Sequence, residues 1–151
     1  MVVATHIGRP KDAPDPAFSV APIVERFSEL LGTEVIKADD CIGDVAKAAC
    51  DKLTPGGVVL LENVRFHKGE KKNLPEFAEA LVAASGATCY VNDAFGTAHR
   101  AHASTAGVTD FISGPKAGGF LMEKASARVG SRRVASGAAR DDGVSIHVDR
   151  S

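Results

Sequence analysis

The sequence predicts an α/β domain: a Rossmann-like parallel sheet with flanking helices. Three observations point to it. Strand-like and helix-like apolar patterns alternate from Val2 to Val91, the run Val58-Val59-Leu60-Leu61 is apolar at every position, and the candidate helices close on Gly or Pro-Gly stop signals. Strand, helix, strand order of this kind is the signature of parallel strands joined by right-handed crossovers.

Val2-Val3-Ala4-Thr5 is a short β-branched run and reads as the first strand. A Pro-rich loop from Pro10 to Pro16 leads into Val20, Ile23, Val24, Phe27, Leu30 and Leu31 at helical spacing, closed by Gly32. Pro22 fits that helix only if it begins close to Ser19, because proline is tolerated in a first turn and not beyond it. A strand follows around Glu34 to Lys37. Ile42, Val45, Ala46, Ala49 and Leu53 then share one helical face that stops at Pro55-Gly56. The apolar run Val58 to Leu61 is what a strand covered on both faces requires. Asn73-Leu74-Pro75-Glu76 has the form of a capping box ahead of Phe77, Ala78, Leu81 and Val82; Gly86 ends that helix, and Thr88 to Val91 forms the next strand.

The chain has 151 residues, a length suited to one domain, and its 44% hydrophobic and 25% charged residues can build a core without disulfides or metal. That balance excludes collagen-like, coiled-coil and wholly disordered classes. Eighteen Lys+Arg against nineteen Asp+Glu leave a formal charge of −1, so no global field marks nucleic acid or an anionic membrane as a partner. No apolar run approaches the roughly 20 residues that span a bilayer. Cys41, Cys50 and Cys89 are odd in number and have no ligand-like spacing, which suits small buried hydrophobes in a reducing compartment. All nine lysines lie at or before Lys124, and the last 27 residues hold five Arg, five Ser and five Ala without an aromatic. Residues 1–124 are therefore expected to form the domain and 125–151 an unrelated, disordered tail.

Ligands of open α/β sheets bind beyond the carboxyl ends of the strands, and three of those positions carry cations. They are His6-Ile7-Gly8-Arg9-Pro10 after the first strand, Glu62-Asn63-Val64-Arg65-Phe66 after the apolar run, and Asn92-Asp93-Ala94-Phe95-Gly96 with His99, Arg100 and His102 after the fourth. Parallel strands bring such residues to one rim, where arginines recognise phosphate or carboxylate through charge-assisted, bidentate hydrogen bonds. Other signals are weaker. His99, His102 and Asp93 lack a completing ligand, so no metal site is expected. Gly114 and Gly119 are followed by Phe120-Leu121 where a P-loop needs Lys-Ser/Thr, and the run from Lys68 to Lys72 reads as a solvated basic loop.

The segments His6 to Pro10, Leu60 to Phe66 with Gly69-Glu70, Val91 to Thr105, and Gly119 to Lys124 resemble phosphoglycerate kinase in order and spacing, over about residues 2 to 124. The resemblance implies a glycolytic phosphotransferase of two Rossmann-like domains, one binding 3-phosphoglycerate and the other Mg-ATP or Mg-ADP, monomeric, with no nucleic-acid or membrane partner. Matched motif by motif, it places His6, Gly8, Arg9, Arg65 and Arg100 on substrate-binding positions. It also implies that the family's first strand, which carries the arginine acting on the transferring phosphoryl, precedes Met1, and that the nucleotide domain has no counterpart after Lys124. No catalytic, cofactor-binding or metal-binding residue is then expected within this chain, and turnover by it alone is not expected. A parallel sheet lacking an internal strand would expose unpaired edges. Two alternatives stand beside this reading: a non-catalytic anion-binding or interaction remnant, and an incomplete gene model. The expected compartment is the cytoplasm, with the plastid stroma as the alternative.

Overall fold

Side chains alternate across a strand, and in β1 (Val2–Ala4) this sends Val2 and Ala4 to one face of the sheet and Val3 to the other. The computed structural model describes residues 1–97, 99–131 and 146–148. Its sheet continues with β2 (Val35–Lys37), β3 (Val58–Leu60), β4 (Tyr90–Asn92) and β5 (Lys116–Gly118). β3 pairs in parallel with both β1 and β2, with Val2 opposite Val59 and Ile36 also opposite Val59. Every residue from Val58 to Leu61 is at most 4% exposed, as expected of a strand covered on both faces.

The larger core lies on one side of the sheet. There Val2, Ala4, Val59 and Leu61 meet Ala46, Ala49 and Cys50 of α2 (Gly43–Cys50) and Phe77, Ala78 and Leu81 of α4 (Pro75–Ser85). On the other side Val3, Val35, Val58 and Leu60 pack with Val20 and with Val24 and Phe27 of α1 (Val24–Leu31). α1 ends at Gly32, whose φ of +67° takes the left-handed turn that stops the helix. The remaining helices are α3 (Lys68–Lys72), α5 (Val108–Phe111) and α6 (Phe120–Ser131).

The structure departs from the sequence reading in several places. The stretch from Lys68 to Lys72 is helix α3, with Gly69 and Glu70 buried, where a solvated loop was expected. Asn73 does not cap α4. It sits at φ +52° as the left-handed stop of α3, donating its N–H to Glu70, and Leu74 takes the N-cap position before Pro75. Two elements compete for Asn73, and closing α3 satisfies a carbonyl that the capping box would leave open.

α6 runs seven residues beyond the boundary at Lys124, and β6 (Ile146–Val148) lies between β1 and β4, antiparallel to both, in the sheet order β2-β3-β1-β6-β4-β5. The facing edges of β1 and β4 are therefore paired, and those two strands run in the same direction. Val144-Ser145-Ile146-His147-Val148 alternates apolar and polar residues, a short strand signal that the Arg/Ser/Ala composition around it obscured. The expected disorder of 132–145 and 149–151 falls outside the described residues.

α3 and α4 cross closely enough that a Cβ on Gly69 would lie 2.5 Å from the Cβ of Phe77. Gly69→Ala is expected to lower stability by about 1–3 kcal/mol through overpacking. Chemical denaturation reads this directly, and an unchanged midpoint would contradict the close crossing.

Candidate functional site

Two neighbouring side chains at the end of β3 organise the long β1–α1 loop. Glu62 is buried; its Oε1 accepts N–H bonds from Val20 (2.9 Å) and Asn63 (2.8 Å), and its Oε2 accepts the Ser19 hydroxyl (2.7 Å) and lies 3.2 Å from Lys37 Nζ. Asn63, fully buried, donates its amide to the carbonyls of Ile7 (2.9 Å) and Phe18 (2.8 Å) and accepts the Arg65 N–H at 3.0 Å. Both ends of the loop are thus bonded to the residues that follow β3. Arg65 is itself buried, and its guanidinium donates to the Gly8 carbonyl at 3.1 Å. Gly8 has φ +63°, and a Cβ there would lie 2.5 Å from the Phe18 ring, so this approach requires glycine.

The consequence is a cavity of about 160 Å³ lined by Arg9, Arg65, Lys71 and Arg100. The arginines follow β1, β3 and β4. Arg9 and Arg100 are exposed and Arg65 forms the floor. The Arg100 backbone is held by its N–H to Thr97 (2.9 Å), and its Nε lies 3.0 Å from His99 Nε2. Of the other candidates, His6 is buried and outside the cavity lining, while Gly8 reaches the site through its carbonyl. Lys71 was missed by sequence reasoning. It enters from α3, where Asp12 of the β1–α1 loop pairs with its ammonium at 2.5 Å.

Behind this rim, Glu70 accepts the Ser104 N–H (2.9 Å) and hydroxyl (2.6 Å) and lies 3.7 Å from His102 Nδ1. His102 is buried and lies outside the cavity lining. The volume is below the roughly 300–1,000 Å³ of pockets for drug-sized ligands, and four cations around it suit a small anion that takes charge-assisted bonds from several sides.

Burial alone would raise the Glu62 carboxyl, but the N–H groups of Val20 and Asn63, the Ser19 hydroxyl and Lys37 together hold it below the ordinary glutamate range. For Glu70 burial wins over Ser104 and the nearby Arg65, and its carboxyl is raised. The two have opposite linkage. Glu62 contributes stability that is present above the unfolded-state value and is lost as pH falls through its lower folded value, whereas protonating Glu70 relieves a buried charge.

A family model described as phosphoglycerate kinase matches residues 1–134. Over 124 residues the chain is 60% identical to a chloroplastic phosphoglycerate kinase of Arabidopsis thaliana and 59% identical to a cytosolic one of Triticum aestivum. Each match covers 82% of this chain, but 25% and 30% of those relatives. Among solved structures, phosphoglycerate kinases from Pyrococcus horikoshii OT3 and Coxiella burnetii align with TM-scores of 0.69 and 0.64, both at 35% identity. They cover 83% and 81% of this chain and 31% and 29% of theirs.

Glu62→Gln is expected to cost about 1.5–3 kcal/mol near neutral pH, the range for hydrogen bonds to a charged group. The difference from the parent should shrink as pH falls through the glutamate range. Unfolding free energies measured across pH check this, and a pH-independent difference would contradict the role given to the ionised carboxylate.

Proposed function

Because the chain belongs to the phosphoglycerate kinase family, we propose that its basic cavity is the acceptor-substrate side of a phosphoryl-transfer enzyme and binds 3-phosphoglycerate through phosphate and carboxylate. The observation that carries this reading is the placement of Arg9, Arg65 and Arg100, from three different strand ends, with Lys71 around one small cavity. His6 and Gly8 belong to the same proposed site as the residues that shape the loop behind Arg9 and Arg65. Phosphoryl transfer depends mainly on positioning and charge stabilisation, and cations fixed to a rigid sheet edge supply both for the acceptor.

The described residues do not fit a Mg-nucleotide. The basic cavity is small, and a larger one of about 440 Å³ is walled by Asp39, Asp40 and Glu62, which repel phosphates. Binding of Mg-ATP or Mg-ADP is accordingly assigned to the part of the relatives' length that this sequence does not match, and turnover is proposed to need it. Among the described residues no helix is long and apolar enough to cross a membrane. The relatives' names carry two compartments, chloroplast and cytosol, and we favour the cytosol for this chain. A second reading, an anion-binding or interaction domain without turnover, draws on the 25–30% of relatives' length that the chain spans.

Calorimetric titration with 3-phosphoglycerate is expected to show saturable binding that weakens about 10–100-fold in Arg65→Ala and in Arg100→Ala, as loss of a charged hydrogen bond predicts. Binding should also weaken as salt rises. Equal affinity in parent and variants would overturn the site, and inorganic phosphate binding as tightly as 3-phosphoglycerate would favour the second reading. In a coupled assay, ATP-dependent turnover by the chain alone would contradict the assignment of the nucleotide site elsewhere.

A further inference from the structure

Across the sheet edge from the basic rim, the ends of β2 and β3 bring together three side chains that the phosphoryl-transfer reading does not use. Ala38 continues the pairing of β2 by donating its N–H to Leu60 (2.9 Å), and the chain then turns through Asp39, Asp40 and Cys41 toward α2. His67 follows the turn Val64–Phe66 after β3 and precedes α3. The two segments meet where His67 Nε2 lies 2.7 Å from Asp40 Oδ1, an oxygen that also accepts the Cys41 N–H at 2.6 Å. One donor atom from each of Asp40, Cys41 and His67 lies within 4.8 Å of the other two.

Cys41 is fully buried against the core, and the His67 and Asp40 side chains, 29% and 42% exposed, open onto the cavity of about 440 Å³. Its other walls include Asp39, Glu62, Pro14 and Pro16, and it shares no lining residue with the basic cavity. Lys37 Nζ reaches both Asp39 (3.0 Å) and Glu62 (3.2 Å), which leaves Asp40 as the carboxylate directed at His67. The His67 ring is braced against Phe77, with centroids 5.4 Å apart.

We propose that Asp40, Cys41 and His67 form a three-ligand site for a zinc-class divalent cation, with the fourth coordination position open to the cavity. Tetrahedral zinc with ligand bonds of about 2.0–2.3 Å sets its donor atoms roughly 3.3–3.7 Å apart. From the separations present, the Asp40–His67 edge of 2.7 Å must open by about 0.6–1.0 Å and an edge at the 4.8 Å limit must close by about 1.1–1.5 Å, shifts that side-chain rotation supplies. A sulfur, nitrogen and oxygen set selects Zn²⁺ or Co²⁺ over Mg²⁺, which demands oxygen ligands.

Burial and the carboxylates of Asp40 and Glu70 push the Cys41 thiol up, so a metal must displace its proton to bind. A bound dication reverses that balance: the Cys41 S–H bond breaks and the sulfur–metal bond forms as that proton leaves to solvent, while the His67 proton facing Asp40 is given up from Nε2 and the neutral ring keeps its hydrogen on Nδ1, so that Nε2 and Asp40 Oδ1 exchange their hydrogen bond for two metal bonds.

Cobalt(II) titration of the full chain tests the site, because a thiolate-to-cobalt charge-transfer band reports a sulfur ligand directly. The expected result is one saturating band that Cys41→Ser and His67→Gln abolish, that Asp40→Asn weakens about 10-fold or more, and that Cys89→Ser leaves unchanged. His67 and Asp40 are partly exposed, so their variants remain informative if Cys41→Ser does not fold. Absence of the band, its survival in His67→Gln, an unchanged titration in Asp40→Asn, or its loss in Cys89→Ser would overturn the proposal.

Discussion

A carboxylate and a carboxamide, adjacent in sequence and buried at the carboxyl end of β3, hold the long loop from Thr5 to Val20 in place. Glu62 takes the loop's far end through Val20 N–H and the Ser19 hydroxyl, while Asn63 spans Ile7 and Phe18. Both side chains find partners on the loop as well as on their own segment, and leaving a buried polar group unsatisfied would cost the full desolvation of that group. Arg9 stands beside Arg65 because of this clamp: Arg65 is locked by Asn63 from below and reaches the carbonyl of Gly8, the residue before Arg9. The chemistry of the rim is inherited from the packing beneath it.

The same clamp separates two electrostatic environments. On one side the cations of four residues surround a small cavity; on the other Glu62, Asp39 and Asp40 wall a larger one beside His67. Arg65 and His67 are two residues apart on either side of Phe66, so one tight turn after β3 sends a guanidinium to the first and an imidazole to the second. Cationic and carboxylate-lined cavities thereby lie apart on a chain whose formal charge is only −1.

The α/β class and the strand-end arginines were legible because both follow from short-range signals: an apolar run, a Gly stop, a cation just past a strand. Arg9, Arg65 and Arg100 follow directly from that rule. Lys71 was not legible, since its place depends on α3 docking Gly69 against Phe77, and a run of Lys and Gly has no periodicity that announces a packed helix. Asn73 has a side chain suited to a cap and a backbone suited to a left-handed stop, and tertiary context decided between them. Cys41 was read as a buried hydrophobe and Asp40 and His67 drew no reading, because their approach follows from the pairing of β2 with β3, while metal motifs are recognised by spacing along one segment. β5, Lys116-Ala117-Gly118, has no apolar run and is defined by its pairing with β4, whereas β6 carries a short alternation that the composition around it obscured.

Three arginines from separate strand ends are proposed to act on one anion. Guanidinium N–H resonances of Arg9, Arg65 and Arg100, followed by NMR during titration of the full chain with 3-phosphoglycerate, test it at the groups themselves. All three are predicted to shift along one saturating curve, while Arg26 of α1, exposed and paired with Glu29, stays unmoved. Shifts that never saturate, or that extend equally to Arg26, would contradict it.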